Sequence, residues 1–219
     1  RLPELAEVLL AHTARVADRA AAAAALRGHT ALTRPAAPLA TTARLVVVSG
    51  RPGSGKTPAV AAAAAELGRR NIPVVGFLQP AVVEDGRKVG FKLLDAATGE
   101  TADLARRVEA GEGMHGTSFA FAEAGFELGR RALTAVVPGS VIVVDEIGPI
   151  ELRGGGHWPA VRRALAVPGV RGAVVVVRRA LVPSLLEALD ATDAVVVDLE
   201  DPGVDDPVAA IVNTLILNS

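Results

Sequence analysis

Cysteine is absent from this sequence, and aromatic residues are scarce. The 219 residues contain no Cys and no Tyr, and aromatic side chains make up only 3% of the chain. Without cysteine the protein can form neither disulfides nor cysteine-ligated metal sites. The hydrophobic half of the composition is supplied mostly by Ala and Val.

A charge excess and a long hydrophobic run are also missing. The formal net charge is −1, and the basic residues occur as scattered Arg pairs, so no basic stripe indicates binding to nucleic acid or an anionic membrane. No apolar run approaches the roughly 18 to 20 residues that span a membrane. Glu4, Glu7 and Arg15 interrupt the first segment, where a signal peptide would need its apolar stretch. These observations predict a cytoplasmic protein.

Valine-rich runs recur along the chain and predict buried strands. They lie at residues 46–48, 143–144, 174–177 and 195–197, and none alternates with polar residues. Such runs are typical of parallel strands covered on both faces. Helical segments separate them, so the predicted fold is α/β, with a mostly parallel sheet and helices on both faces. An Asp85-Gly86 pair between two apolar runs predicts an added β-hairpin.

Residues 1–40 stand outside this alternating pattern. Residues 2–27 predict an alanine-rich helix, and the two prolines in residues 33–39 indicate a linker. We therefore predict an N-terminal extension over residues 1–40 and one catalytic domain over residues 41–219. The weak apolar face of the helix is a candidate contact for self-association or for a protein partner. The alternative is that the helix is a packing appendage.

The strongest motif is the loop Gly50–Thr57, which follows a predicted strand and opens a predicted helix. Its spacing is G-x-x-x-x-G-K-T, in which glycines let successive backbone N–H groups point at one phosphate at a helix N-terminus. Lys56 can reach the outer phosphates, and the Thr57 hydroxyl can bind Mg²⁺. The predicted nucleotide-binding residues are Gly50, Arg51, Pro52, Gly53, Ser54, Gly55, Lys56, Thr57 and Pro58.

A second chemical feature is the apolar strand that ends in Asp145 and Glu146. A carboxylate at this edge of a sheet is where a phosphate-loop enzyme holds its Mg²⁺. Asp198 ends a similar strand, but acidic turn residues follow it and predict a solvated loop. We therefore predict Asp145 as the metal-side carboxylate and Glu146 as the group that orients the attacking water.

Three other segments carry weaker predictions. Arg178 and Arg179 follow a buried strand, where one of them could stabilise transferring charge or both could simply form ion pairs; we take Arg178 as the catalytic candidate. Residues 154–158 predict a mobile loop near the γ-phosphate, with His157 more plausible as a loop side chain than as an acid or base. Residues 103–109 predict a short helix.

These motifs together resemble the THEP-type nucleoside-triphosphatases, the cancer-related NTPase family. The resemblance covers roughly residues 43–217 and rests on the phosphate loop, on the hairpin segments 76–80 and 90–92, and above all on Asp-Glu-Ile-Gly-Pro-Ile-Glu-Leu at 145–152. It implies a RecA-like sheet, Mg²⁺-dependent hydrolysis of nucleoside triphosphates such as ATP or GTP with broad base preference, and the roles given above to Lys56, Thr57 and the two carboxylates. Pro58 departs from the family pattern.

The sequence therefore predicts a Mg²⁺-dependent nucleoside-triphosphatase. Two alternatives stay open at this stage. One is a nucleotide or small-molecule kinase, for which the Arg pairs at 106–107, 130–131 and 162–163 are the only hints of an acceptor pocket. The other is a nucleotide-gated binding or assembly switch, which the N-terminal helix alone favours.

Overall fold

The structure is a computed structural model that describes residues 43–109 and 118–216. The predicted N-terminal helix and its linker lie outside the described residues. The strands are β1 (Arg44–Ser49), β2 (Val74–Leu78), β3 (Ala81–Glu84), β4 (Arg87–Asp95), β5 (Thr101–Arg107), β6 (Phe119–Phe121), β7 (Val141–Ile147), β8 (Gly172–Val177) and β9 (Val195–Asp198). The α-helices are α1 (Lys56–Arg69), α2 (Glu123–Ala132), α3 (Pro149–Leu152), α4 (Trp158–Leu165), α5 (Val182–Leu189) and α6 (Pro207–Ile216).

The strands of the described residues form one sheet in the order β6-β5-β4-β2-β7-β8-β1-β9, and β3 pairs with β4. Five neighbouring strands of this sheet are parallel to one another, as the valine-rich runs predict: β2, β7, β8, β1 and β9. Strand β8 lies between β1, which leads into the phosphate loop, and β7, which ends near the two carboxylates. The carboxyl ends of these three strands therefore meet at one edge of the sheet.

Helices cover both faces of the parallel strands, which explains why those strands are apolar throughout. On one face α1 and α6 pack through Val60, Leu67 and Ile211. On the other face α2, α4 and α5 contribute Leu128, Val161 and Leu185. Alternate residues of β1 serve the two layers, because Val46 and Val48 join the first cluster and Val47 joins the second.

The antiparallel part of the sheet is larger than the sequence predicts. The hairpin across Asp85-Gly86 is confirmed as β3 and β4, but β5 and β6 extend it to four strands. The predicted helix over residues 103–109 is wrong, because residues 101–107 are strand β5. Ala, Leu and Arg favour helix intrinsically, yet pairing with β4 and burial of Leu104 override that preference.

His157 lies in the core rather than on a loop. Its ring packs between Phe77 and Phe126, with centroid distances of 4.5 and 5.0 Å, and the residue is only 1% exposed. The approach to α2 is so close that a Cβ on Gly129 would lie 2.3 Å from His157 Nε2. Both predictions for this residue, a mobile loop side chain and an acid or base near the γ-phosphate, are therefore wrong.

This burial makes the stability of the fold sensitive to acid. Desolvation lowers the pKa of His157 from 6.5 to about 4, against the opposing effect of the Gly125 backbone. The associated stability is complete above pH 6.5 and is lost as the pH falls toward 4, because only the unfolded chain then takes up the proton. Between pH 7.5 and 5.0 we expect His157 to cost about 2 kcal/mol of unfolding free energy.

Urea denaturation of the wild type and of His157→Phe at both pH values measures this effect. The Phe variant keeps an aromatic ring against Phe77 and Phe126 but cannot be protonated. We expect its loss of stability between pH 7.5 and 5.0 to be smaller than that of the wild type by about 2 kcal/mol. Equal losses in the two proteins would contradict the buried neutral histidine.

Candidate active site

The phosphate loop is a strand-to-helix turn that depends on its glycines. Gly50, Gly53 and Gly55 have φ angles of +144°, +84° and +93°, in a region that residues other than glycine rarely adopt. At Gly50 a Cβ would also lie 2.6 Å from the Ser54 hydroxyl oxygen. Helix α1 begins at Lys56, so Pro58 lies in its first turn, where the missing N–H has no intrahelical partner to lose.

Lys56 is buried beneath this loop. Its Nζ donates hydrogen bonds to the carbonyl oxygens of Gly50 at 3.0 Å and Arg51 at 2.8 Å, and the residue is 7% exposed. The ammonium is already desolvated and fixed by the loop, so its charge acts more strongly on a phosphate held there than it would in water.

Two serine hydroxyls near the loop are buried without a hydrogen-bond partner among the described residues. They belong to Ser49, the last residue of β1, and Ser54 within the loop. Leaving a buried hydroxyl unpaired costs free energy, and such groups are typical of sites that bind polar ligands. Ser54 is one of the predicted nucleotide-binding residues.

Asp145 lies close to Thr57. It is 1% exposed near the end of β7 and accepts a hydrogen bond from the Gln79 N–H at 2.9 Å, and the Thr57 side chain is near enough to lower its pKa. Burial raises the pKa of Asp145 to about 6, although this hydrogen bond, the Thr57 side chain and the Lys56 charge oppose the rise. A buried carboxylate against a hydroxyl supplies the oxygen ligands that Mg²⁺ prefers.

The described residues contain no group of three His, Asp or Glu side chains that could hold a metal by themselves. Mg²⁺ in nucleotide sites is usually held by one or two protein oxygens together with substrate phosphates and water. The pair of Asp145 and Thr57 fits that mode of binding.

Glu146 lies in a β-bulge that directs it toward the sheet edge. The pairing of β7 with β8 shifts register between Asp145 and Ile147, which leaves Glu146 without a partner in the ladder. Its carboxylate accepts a hydrogen bond from Arg178 Nε at 2.9 Å. The two predicted catalytic residues are therefore in contact with each other, at the ends of neighbouring strands.

Asp198 has a different environment. Its carboxylate accepts two hydrogen bonds from Arg179, at 2.6 and 2.7 Å, and this guanidinium lowers the pKa of Asp198. Arg179 also contacts Glu200, whose carboxylate in turn accepts hydrogen bonds from the backbone N–H and the side chain of Arg51. Asp201, Asp205 and Asp206 are exposed, as a solvated loop requires, whereas the ion pairs of Asp198 and Glu200 tie the end of β9 to the phosphate loop.

Glu151 is a residue that sequence reasoning missed. It is 8% exposed, and burial raises its pKa. Its carboxylate accepts from the Gly148 N–H at 3.1 Å and from the His157 N–H at 3.5 Å, and a Cβ on Gly156 would lie 2.1 Å from it. Glu151 thus fixes the segment that follows Glu146; the signal was its place three residues after Gly148, from which its carboxylate caps the N–H at the start of α3.

The Arg pairs that hinted at an acceptor pocket do not surround the site. Arg130 and Arg131 form surface ion pairs with Glu123 and Glu100. Arg106 and Arg107 line a cavity at the antiparallel end of the sheet, and two strands separate β5 from β7. Both residues of the third pair, on α4, are exposed.

Known proteins are similar to this chain in sequence and in fold. Residues 45–205 match the family described as NTPase. The chain belongs to this nucleoside-triphosphatase family. It is 41% identical to the nucleoside-triphosphatase THEP1 of Thermofilum pendens over 125 residues, which is 56% of this chain and 68% of the relative. The cancer-related nucleoside-triphosphatase homolog of Bos taurus is 31% identical over 137 residues, 58% of this chain and 72% of the relative.

Other matches are shorter, and two solved structures share the fold. The chain spans 66% and 62% of the length of the THEP1 proteins of Methanopyrus kandleri and Saccharolobus solfataricus. The solution structure of a human cancer-related nucleoside triphosphatase has 26% identity and a TM-score of 0.66, covering 81% of this chain and 100% of that one. The crystal structure of THEP1 from Aquifex aeolicus, with 22% identity, 78% and 99% coverage and a TM-score of 0.58, supports the fold alone. The P-loop α/β fold and the family resemblance predicted from sequence are thus confirmed.

Proposed function

We propose that this chain hydrolyses nucleoside triphosphates to the diphosphate and inorganic phosphate, with Mg²⁺ and with broad base preference. The observation that carries the proposal is the geometry of the phosphate loop, in which three glycines have positive φ angles and two loop carbonyls fix the buried Lys56, together with the buried carboxylate of Asp145 close to Thr57. Membership of a nucleoside-triphosphatase family supports the same reaction. The resemblance to the THEP-type family is the reason for proposing broad base preference.

Positioning and charge neutralisation account for most of the catalysis at such a site. The backbone N–H groups of the loop and the Lys56 ammonium would hold the β- and γ-phosphates. Asp145 and Thr57 would hold Mg²⁺, which supplies further neutralisation of charge on the phosphate oxygens when it is bound.

Glu146 would act on the water. Its carboxylate accepts a hydrogen bond from the water, which orients the oxygen toward the γ-phosphorus in line with the leaving oxygen. The new P–O bond forms as the bond between the γ-phosphorus and the bridging oxygen breaks, and the proton of the water leaves through Glu146. Arg178, at the end of the neighbouring strand, would neutralise charge on the transferring group.

Measurement of free phosphate release from several triphosphates, with and without candidate acceptors, tests this function. Acceptor-independent phosphate release is expected. A product that appears only with an acceptor would support a kinase instead, and nucleotide binding without either product would support a switch.

The same assay separates Asp145 from Asp198. Asp145→Asn is expected to weaken Mg²⁺ binding, because an amide lacks the charge that attracts the ion, and added Mg²⁺ should recover part of the activity. Asp198→Asn is the control; it keeps an acceptor for Arg179, so it should show no such recovery and a smaller effect. Recovery by Mg²⁺ in Asp198→Asn alone would contradict the metal assignment.

Three finer predictions stay predictions from the sequence. They are the cytoplasmic location, the domain boundary at residue 40 and self-association through residues 1–40. No helix within residues 43–109 and 118–216 is long and apolar enough to cross a membrane. Sedimentation of the whole chain beside residues 41–219 would decide whether the N-terminal segment joins two copies.

A further inference from the structure

Arg178 lies in the middle of the sheet edge at which the phosphate loop and the carboxylates meet. A single hydrogen bond holds its side chain there. It follows β8, which lies between the strand of the phosphate loop and the strand of Glu146. Only its Nε donates to Glu146 among the described residues, and the side chain is 57% exposed. Its two Nη groups, which could form a fork with phosphate oxygens, make no bond to a described residue.

The neighbouring Arg179 is held much more firmly. Its Nε and one Nη donate to both carboxylate oxygens of Asp198, at 2.6 and 2.7 Å, and the same Nη lies 3.2 Å from Glu200. A bidentate pair of this kind is stronger and more specific than a single contact. Of the two adjacent arginines, Arg178 is therefore the one that can change partner at small cost.

The partner of Arg178 is the carboxylate that hydrolysis needs. Arg178 occupies one acceptor position of the Glu146 carboxylate and holds the side chain in the orientation of the ion pair, whereas hydrolysis needs the carboxylate turned toward a water. An exposed ion pair contributes little stability, so a more highly charged group nearby can displace it. The γ-phosphate of a bound triphosphate is such a group, whereas a diphosphate lacks it.

We propose that Arg178 restrains Glu146 until a triphosphate binds and then moves to the γ-phosphate, which releases Glu146 for the water. This inference rests on the proposed hydrolysis and adds a control to it. The γ-phosphate would accept hydrogen bonds from Arg178 and thereby free the Glu146 carboxylate. The catalytic groups would therefore be in place only when a triphosphate is bound. Binding of the triphosphate and loss of the Arg178–Glu146 pair would be thermodynamically coupled.

Calorimetric titration with a non-hydrolysable triphosphate analogue and with the diphosphate, both at fixed Mg²⁺, tests the exchange. Arg178→Ala should weaken the analogue about tenfold and leave the diphosphate unchanged, since only the γ-phosphate loses a charge-assisted contact. Glu146→Gln should tighten the analogue about two- to fivefold, the range that an exposed ion pair contributes, because Arg178 no longer has to leave a carboxylate. The diphosphate affinity should again stay constant.

The double variant is the decisive comparison. In the Arg178→Ala background, Glu146→Gln should no longer tighten the analogue. Tightening that persists there would mean that Glu146 simply repels the phosphate, and the exchange would be wrong. Absence of tightening in the single variant, or equal weakening of both nucleotides by Arg178→Ala, would also overturn it. Arg179→Ala is the matched control, and any change it causes should affect both nucleotides by the same factor.

Hydrolysis by the wild type is measured alongside. If the wild type releases phosphate but the affinities of the variants for the two nucleotides do not follow this pattern, the exchange fails and the proposed function stands. If the wild type binds the analogue without releasing phosphate from any triphosphate, the proposed function fails whatever the affinities show.

Discussion

Replacing Lys56 with Ala should lower phosphate release from nucleoside triphosphates by about 10³-fold or more. The ammonium is buried beneath the phosphate loop and fixed by the carbonyls of Gly50 and Arg51, so no other described side chain can deliver a positive charge from that position. Its fixed geometry means that little reorganisation is needed when the phosphate becomes more negative in the transition state. Initial rates of phosphate release at saturating nucleotide measure the effect.

Lys92→Ala is the matched control for this variant. Lys92 is an exposed lysine on β4 that pairs with Asp103 at 2.9 Å, and its loss should leave turnover unchanged. Circular dichroism should show that Lys56→Ala keeps its secondary structure, with only a modest loss of stability from two missing hydrogen bonds. A folded Lys56→Ala protein with nearly normal turnover would contradict the assignment of residues 50–57 as the phosphate-binding loop.

Glu146→Gln should retain binding of nucleotide and Mg²⁺ while turnover falls by roughly 10² to 10⁴, the usual effect of a positioned acid or base. The amide keeps the size of the side chain, but it cannot take the proton of the attacking water. Single-turnover phosphate release with enzyme in excess separates this chemical step from product release.

Glu187→Gln serves as the control for Glu146→Gln, since Glu187 lies on α5 and belongs to no part of the site. It should hydrolyse triphosphates at the wild-type rate. Normal single-turnover rates in Glu146→Gln would show that another group, or the substrate itself, accepts the proton.

The parallel half of the fold could be predicted because its signals are local. A continuous valine run followed by G-x-x-x-x-G-K-T defines β1, the loop and α1 within a single stretch of chain. The runs that become β7 and β8 are equally clear. The proximity of Thr57 and Asp145 also followed from the pattern, because the loop that leads to Thr57 and the strand that carries Asp145 both reach the carboxyl edge of one parallel sheet.

The remaining features depend on contacts that no local pattern encodes. Strand β5 has helix-favouring residues and becomes a strand only because β4 is beside it. His157 follows three glycines, which favour a loop, yet Phe77 and Phe126 from distant segments enclose it. The pairing of Arg178 with Glu146 requires that β8 be adjacent to β7, which is a property of strand order and not of either sequence segment.

Strand order also makes substrate binding depend on complete folding of the chain. Because β8 lies between β1 and β7, the phosphate loop and the carboxylates come from strands that do not pair with each other. Pairing between segments so distant in sequence is slow to form during folding. A nucleotide can bind only chains in which the three strands have assembled, and a ligand present at a hundred times its Kd stabilises the native state by about 2.7 kcal/mol. The concentration of triphosphate in the cell therefore helps to set how long each molecule stays folded between unfolding events and how well it escapes proteolysis.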